Sequence, residues 1–287
     1  MYGGEHSVSV VSTTLTGNSA GIIGDALASV IDQVDACLVI DTGVCDATIN
    51  VAMRICGPKL ILRRWPWRND FGAARNAALD FAAGVGADWA ITVDPDERMV
   101  FPAGFSLSAF LDALPPGTGT VTTHYHTKLY QKERVLRLAR DVRWMGSTHE
   151  CIAEHSSPPV VAEEFTFTEL PKDPQTLRHK NERDVVMLRE QCALDPLEPR
   201  WPLFLGRSLH NLGRIEEALA PLHEAIRLSN WDNDGIMAAY RLVQCYASLK
   251  QFDVALALCG QAIEASPTAQ EFLFLRDIVH HQQRAAA

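Results

Sequence analysis

The chain has no Cys-x-x-Cys pair. Its seven cysteines, at 37, 45, 56, 151, 192, 245 and 259, are scattered and odd in number. That pattern argues against a zinc site or a disulfide framework and reads as reduced thiols, many of them buried as small apolar residues. Basic runs are also missing. The formal charge is −9, with a pI near 5.6, so nucleic-acid binding is not expected, and a phosphorylated ligand would need a metal or local arginines. The N-terminus lacks the basic and apolar regions of a secretory leader. No apolar run approaches the roughly 20 residues of a membrane span. The expectation is a cytoplasmic protein without a transmembrane segment. What remains is ordinary globular material: 287 residues, 47% hydrophobic and 21% charged, enough for about two domains.

Two halves follow different periods. Ser7 to Leu15, Ala36 to Ile40, Leu60 to Leu62 and Trp89 to Val93 are β-rich runs. Between them, Ala20 to Val34, Asp46 to Cys56 and Phe71 to Ala83 carry apolar residues at helical spacing. Strand alternating with helix predicts an α/β domain over residues 1–172, with a mainly parallel sheet and helices on its faces. From about residue 176 the β signal stops. Leu212 to Leu219 matches Leu249 to Leu256 at an offset of 37 residues, and Ala225-Ile226 matches Ala262-Ile263 at the same offset. This resembles the tetratricopeptide pattern, with extra residues near Asn230 to Asp234. Cys192 to Pro196 reads as the end of an earlier, degenerate unit. Residues 173–287 are therefore expected to be an all-α repeat domain, a type that binds peptides or proteins, associates with itself, or docks on a neighbouring domain.

Asp94-Pro95-Asp96-Glu97, directly after the Trp89 to Val93 run, places carboxylates at the C-terminal end of a strand, where open α/β sheets bind their ligands. Hard cations prefer oxygen, and such acids suit Mg²⁺ or Mn²⁺ together with a diphosphate. Asp and Pro are equally ordinary residues for ending a strand in a turn. Asp41-Thr42-Gly43 ends the second run; its carboxylate suits hydrogen bonds from a base or ribose, or a plain helix cap. Arg75, one turn into the third helix, offers a planar donor fork for phosphate or carboxylate. His149-Glu150, after Gly146-Ser147-Thr148, pairs an imidazole with a carboxylate, the makings of a general base near a metal or phosphate.

In this order, Val39-Ile40-Asp41-Thr42-Gly43, Asp70-Phe71-Gly72-Ala73-Ala74-Arg75-Asn76, Val93-Asp94-Pro95-Asp96-Glu97 and Gly146-Ser147-Thr148-His149-Glu150 resemble family 2 glycosyltransferases, in the branch followed by tetratricopeptide repeats. The resemblance implies a GT-A, Rossmann-like fold, a nucleotide-sugar donor with UDP as the expected nucleotide, Mn²⁺ or Mg²⁺, and an inverting displacement. It assigns Asp41 to the base, Asp94 to the nucleotide or ribose side, and Asp96 to the metal and diphosphate. Glu97 becomes a supporting neighbour and Arg75 a stabiliser of carboxylates or phosphates. Glu150 becomes the general base, with His149 beside it and near the metal. The acceptor is a saccharide, a lipid-linked intermediate or a peptide. Lys180 to Arg183 resemble a segment at the family's domain junction, with a structural role in docking the repeats.

Several positions depart from that family. Thr14 to Asn18 replaces a polar first loop, Val44 stands where Ser is usual, and Pro95 separates the acids. Phe165 to Glu169 lacks the His often found on a later strand. These departures motivate an alternative, a transferase-like scaffold that has lost catalysis and binds proteins through its repeats. Further candidates are His124 and His126, expected on one side of a strand from Val121 to Tyr130, and Trp65 and Trp67, either stacking residues or core. Gly84-Val85-Gly86 lacks a phosphate-loop fingerprint.

Overall fold

A computed structural model describes residues 8–138, 142–153 and 157–286. Ser7, the first residue of the expected opening strand, lies outside them. The chain divides into two compact units, Met1–Pro171 and Lys172–Ala287. The first is α/β and the second is all-helical.

In the first unit, β1 (Val10–Thr16), β2 (Ala36–Asp41), β3 (Leu60–Arg64) and β4 (Trp89–Thr92) pair in parallel in the order β3-β2-β1-β4. The sheet continues from β4 through β7 (Gln131–Arg137), β6 (Thr120–Tyr125) and β10 (Val160–Glu169) to β5 (Glu97–Val100). Within this extension only β6 and β10 run parallel. The result is one mixed sheet of eight strands.

Alternate residues of the parallel strands feed two cores. Val10, Cys37, Val39, Trp89 and Ile91 pack on one face with α1 (Ile23–Ala28) and α2 (Thr48–Cys56). Val11, Leu38, Ile40 and Ala90 pack on the other with α3 (Phe71–Gly84). Burial on both faces explains why these strands read as continuous apolar runs rather than alternating ones. Each fully buried aliphatic side chain contributes about 1.5–3 kcal/mol.

Two expectations need correcting. The helix expected over Ala20 to Val34 is only α1, followed by a short 3₁₀ turn at Ile31–Gln33. Ile22 and Val30, which flank α1, have non-helical backbone angles, so the apolar spacing records burial rather than one continuous helix. Nor is Val121 to Tyr130 one strand. β6 ends at Tyr125, and the chain turns back through Lys128, at φ 58°, into β7.

The second unit holds α5 (Pro174–Leu194), α6 (Arg200–Asn211), α7 (Ile215–Ser229), α8 (Asn233–Ser248), α9 (Phe252–Ala265) and α10 (Glu271–Ala286). The offset of 37 residues maps the start of α7 onto that of α9. Ala218 and Ala255, and Ala225 and Ala262, are completely buried, as close packing of paired helices requires. Gly206 serves the same purpose, because a β-carbon there would lie 2.4 Å from Leu222 Cγ. The turn at Asn230 and Trp231, both at positive φ, followed by the Asp232 cap of α8, accounts for the extra length of the repeat. Among the described residues no helix is long and apolar enough to cross a membrane.

Candidate functional site

The acidic segment after β4 is a β-turn. Glu97 N–H donates to Asp94 O at 2.9 Å, which places Pro95 at the second position, where its fixed φ is favourable. Asp96 is not among the residues with positive φ, so the turn is not type II. The proline that departs from the family pattern thus stiffens an ordinary turn. Asp94 N–H donates back to Glu97 Oε2 at 3.1 Å, and Leu170 N–H donates to Asp96 O at 2.8 Å.

Arg75 joins two other expected positions, Asp94 and Glu150. It is 7% exposed. Its Nη2 lies 3.0 Å from both oxygens of Asp94, and its Nε donates to Glu150 Oε1 at 2.6 Å. Burial works against the Arg75 charge, but Asp94 and Glu150 more than offset it and hold the guanidinium protonated. Burial likewise opposes ionisation of Asp94; Arg75, Arg134 and Lys132 overcome it and bring the carboxyl down to about 2. Asp94 and Glu150, 56 residues apart in the sequence, are therefore held by one side chain.

That convergence depends on a close backbone approach. Asp70 caps α3 by accepting from Ala73 N–H at 2.8 Å. The next two N–H groups, of Phe71 and Gly72, donate to Ser147 O (2.8 Å) and Gly146 O (3.2 Å). A β-carbon on Gly72 would sit 2.6 Å from Gly146 O, so only glycine lets the loop carrying His149-Glu150 lie on the start of α3. Gly146 has φ 92° and His149 φ 52°. One turn along, Asn76 exchanges two 2.9 Å hydrogen bonds with the backbone of Trp144. Its side chain acts as a short strand for β8 (Trp144–Met145), which pairs with β9 (Cys151–Ile152).

The sequence reading missed part of the site. Glu97 is fully buried and receives Arg134, Lys132 (3.0 Å) and the Asp94 amide. Burial pushes its carboxyl up while Arg134 pulls against that. Lys132 also bonds Glu169, and Arg134 Nη2 lies 3.9 Å from Asp94. Both cations lie against the Phe167 ring. Their signal was partial: Tyr130, Lys132 and Arg134 stand two apart, as on one face of a strand, but Tyr130 precedes β7 and the pairing with β6 shifts register at Arg134.

Asp41 is placed differently. Its Oδ1 accepts from the backbone of Gly43 (2.8 Å) and Val44 (2.7 Å), so it shapes its own turn. Trp65 N–H and Trp67 N–H extend that edge, donating to Asp41 O and Thr42 O. Trp67 packs edge-on against Phe71, and both tryptophans pack against the core beside α3. His124 bonds Glu163 at 2.9 Å, whereas His126 lies beyond β6. In the helical unit, Lys180 and Arg183 pair with the fully buried Asp184.

Among the described residues no three of His, Cys, Asp and Glu converge as a ready-made cation cage. A carboxylate at the third position of a rigid turn still fits Mg²⁺ or Mn²⁺, which commonly bind one or two carboxylates and take their other ligands from phosphate and water.

Residues 9–105, which lie within the first unit, match the sequence model described as glycosyl transferase family 2. Over 230 residues the chain is 26% identical to the SPbeta prophage-derived glycosyltransferase SunS of Bacillus subtilis, covering 76% of this chain and 53% of that protein. Over 157 residues it is 33% identical to the TPR repeat-containing protein Synpcc7942_0270 of Synechococcus elongatus, covering 53% of this chain and 37% of that protein. The chain thus spans about half the length, or less, of these curated relatives. Among solved structures, the second TPR domain of human RPAP3 aligns at 17% identity with a TM-score of 0.33, covering 36% of this chain and 82% of that one.

Proposed function

We propose that the first unit is a family 2 glycosyltransferase domain that transfers a sugar from a nucleotide-sugar donor, UDP-linked, to a hydroxyl or other nucleophilic acceptor, with inversion at C1. The observation that carries the reading is Arg75, which draws Asp94 and Glu150 to one point at the ligand edge of the sheet. In this reading Asp41 borders the base, Asp94 the ribose side, and Asp96 the diphosphate. Glu150 is the general base: Arg75 holds Oε1, and Oε2 takes the acceptor proton. The acceptor oxygen forms its bond to C1 from the face opposite the donor phosphate. The bond from C1 to the phosphate oxygen breaks, and its electron pair leaves with the nucleoside diphosphate.

Asp96 and His149 are the residues that would hold Mn²⁺ or Mg²⁺. When bound, the ion neutralises charge on the departing diphosphate. The helical unit positions a saccharide, lipid-linked or peptide acceptor, or a protein partner, and the enzyme works in the cytoplasm. Calorimetric titration with UDP and UDP-sugars, with and without Mn²⁺, tests the reading. Nucleotide binding that Mn²⁺ strengthens, with that gain lost in Asp96→Ala, is expected. Absence of binding to any nucleoside diphosphate, or unchanged binding in Asp96→Ala, rejects it.

A further inference from the structure

Arg98, the residue after the acidic turn, belongs to none of the motifs discussed so far. Its side chain is 16% exposed and its guanidinium is spread over four acceptors. Nη1 donates to Pro95 O (2.9 Å) and Glu97 O (2.6 Å). Nη2 donates to Ile22 O (2.8 Å) and reaches Asp25 at 3.4 Å. Two carbonyls of the turn and one from the end of the first loop, residues 17–22, thus share one rigid planar fork, a geometry lysine does not reproduce.

The first loop is tied in turn to the segment after Asp41. Asn18 Oδ1 accepts from Cys45 N–H at 2.8 Å, Ser19 N–H donates to Thr48 Oγ1 at 2.8 Å, and Ala20 N–H donates to Asp46 at 3.3 Å. A continuous hydrogen-bonded path therefore runs from the Asp41 turn through the first loop to the Asp94–Glu97 turn. Arg98 is its last link. Pro95 O lies in the peptide plane that enters Asp96 and Glu97 O in the plane that enters Arg98, so the fork fixes one of the two planes that aim the Asp96 side chain and the plane just beyond the other, which Leu170 N–H holds at Asp96 O.

We propose that Arg98 is a positioning residue that couples the first loop to the acidic turn and sets the direction in which Asp96 is presented. This rests on the reading of Asp96 as a diphosphate and metal residue. The test uses the full chain, with UDP as the calorimetric probe in the presence and absence of Mn²⁺, and with Mn²⁺ binding in the presence of UDP followed by electron paramagnetic resonance. Arg98→Met is expected to lose about tenfold of the Mn²⁺-dependent affinity, the scale seen when a supporting partner of a metal ligand is removed. Affinity without Mn²⁺ is expected to hold. In an Asp96→Asn background the Arg98→Met effect should vanish, because the residue acts through Asp96. An equal loss with and without Mn²⁺, or an effect that simply adds to Asp96→Asn, overturns the proposal.

Arg98→Lys keeps the charge without the fork and serves if Arg98→Met does not fold. A smaller loss confined to the Mn²⁺-dependent part is expected of it, and wild-type behaviour counts against the fork. Should the wild-type protein bind no nucleotide, the glycosyl-transfer reading falls by itself. The coupling is then read by hydrogen exchange: Arg98→Met must speed exchange in residues 17–22 and 96–98 together, and a change in one segment alone rejects it.

Discussion

Asp41 ends β2 and Asp94 lies just beyond β4, the two parallel strands that flank β1, and each follows a buried apolar run. Their surroundings nevertheless differ. Asp41 is satisfied locally, by backbone N–H groups two and three residues on, as any strand-to-helix turn arranges for an Asp. Asp94 is satisfied from afar, by Arg75 on α3 with Arg134 on β7 nearby. Local bonds set the shape of a loop. Long-range charged bonds set the relative position of α3, β4, β7 and the loop of His149-Glu150, which is what a site requires.

The contrast is sharpest in Arg75→Met, which strands two carboxylates at the sheet edge. A loss of about 3–5 kcal/mol is expected, as for breaking a buried pair by removing one partner, measured by urea unfolding. A cost below about 1 kcal/mol would mean that solvent already screens the pair.

Acidification probes the same interaction. The Asp94 carboxyl lies at about 2 in the folded protein, against an ordinary value of about 4. Its folded value is lowered, so its stabilisation is complete above about pH 4 and is lost as pH falls through about 2, on the order of 2 kcal/mol. Comparing unfolding free energies between those limits, Asp94→Asn should flatten the wild-type decline, and parallel curves would assign the acid sensitivity elsewhere.

Gly72→Ala attacks the backbone approach rather than the charges. A methyl group placed 2.6 Å from Gly146 O must push the loop away, at about 1–3 kcal/mol, the usual cost of overpacking. Thermal unfolding gives the size, and faster amide exchange at Phe71 and Gly72 should locate it. At the other strand end, Asp41→Asn keeps an oxygen for the two turn amides and should cost about 0.5 kcal/mol or less, since Asn and Asp serve almost equally as such acceptors. A loss as large as that of Arg75→Met would erase the distinction between the two ends.

Much of this was legible in the chain. The continuous apolar runs and the helical spacing of Phe71 to Ala83 gave the parallel strands and α3, because burial on both faces leaves a direct trace in hydrophobicity. The repeat was legible too, down to its turn. Gly213 and Lys250, matched at the offset of 37 residues, both hold positive φ (75° and 59°). Arg214 N–H and Gln251 N–H close equivalent bonds to Leu209 O and Tyr246 O. Lys250 gives no hint of that conformation by its residue type, since side-chain-bearing residues disfavour it. The hairpin after Tyr125 escaped for the same reason: Lys128 turns the chain at positive φ without a Gly or Asn to announce it.

The sequence by itself determined two units, the order of strands and helices at the start of the first, the helical repeat of the second, and the acidic residues at two strand ends. Those are properties of local periodicity and residue type. Only the tertiary structure decided that Arg75 would turn inward to hold Asp94 and Glu150, that Lys132 and Arg134 would surround Glu97, and that Arg98 would join the first loop to the acidic turn. Each of these contacts spans residues far apart in the chain or depends on how a side chain is aimed. Their energy comes from largely buried guanidinium and ammonium groups brought within 3 Å or so of carboxylates and backbone carbonyls, a condition that exists only once the elements of the first unit are packed together.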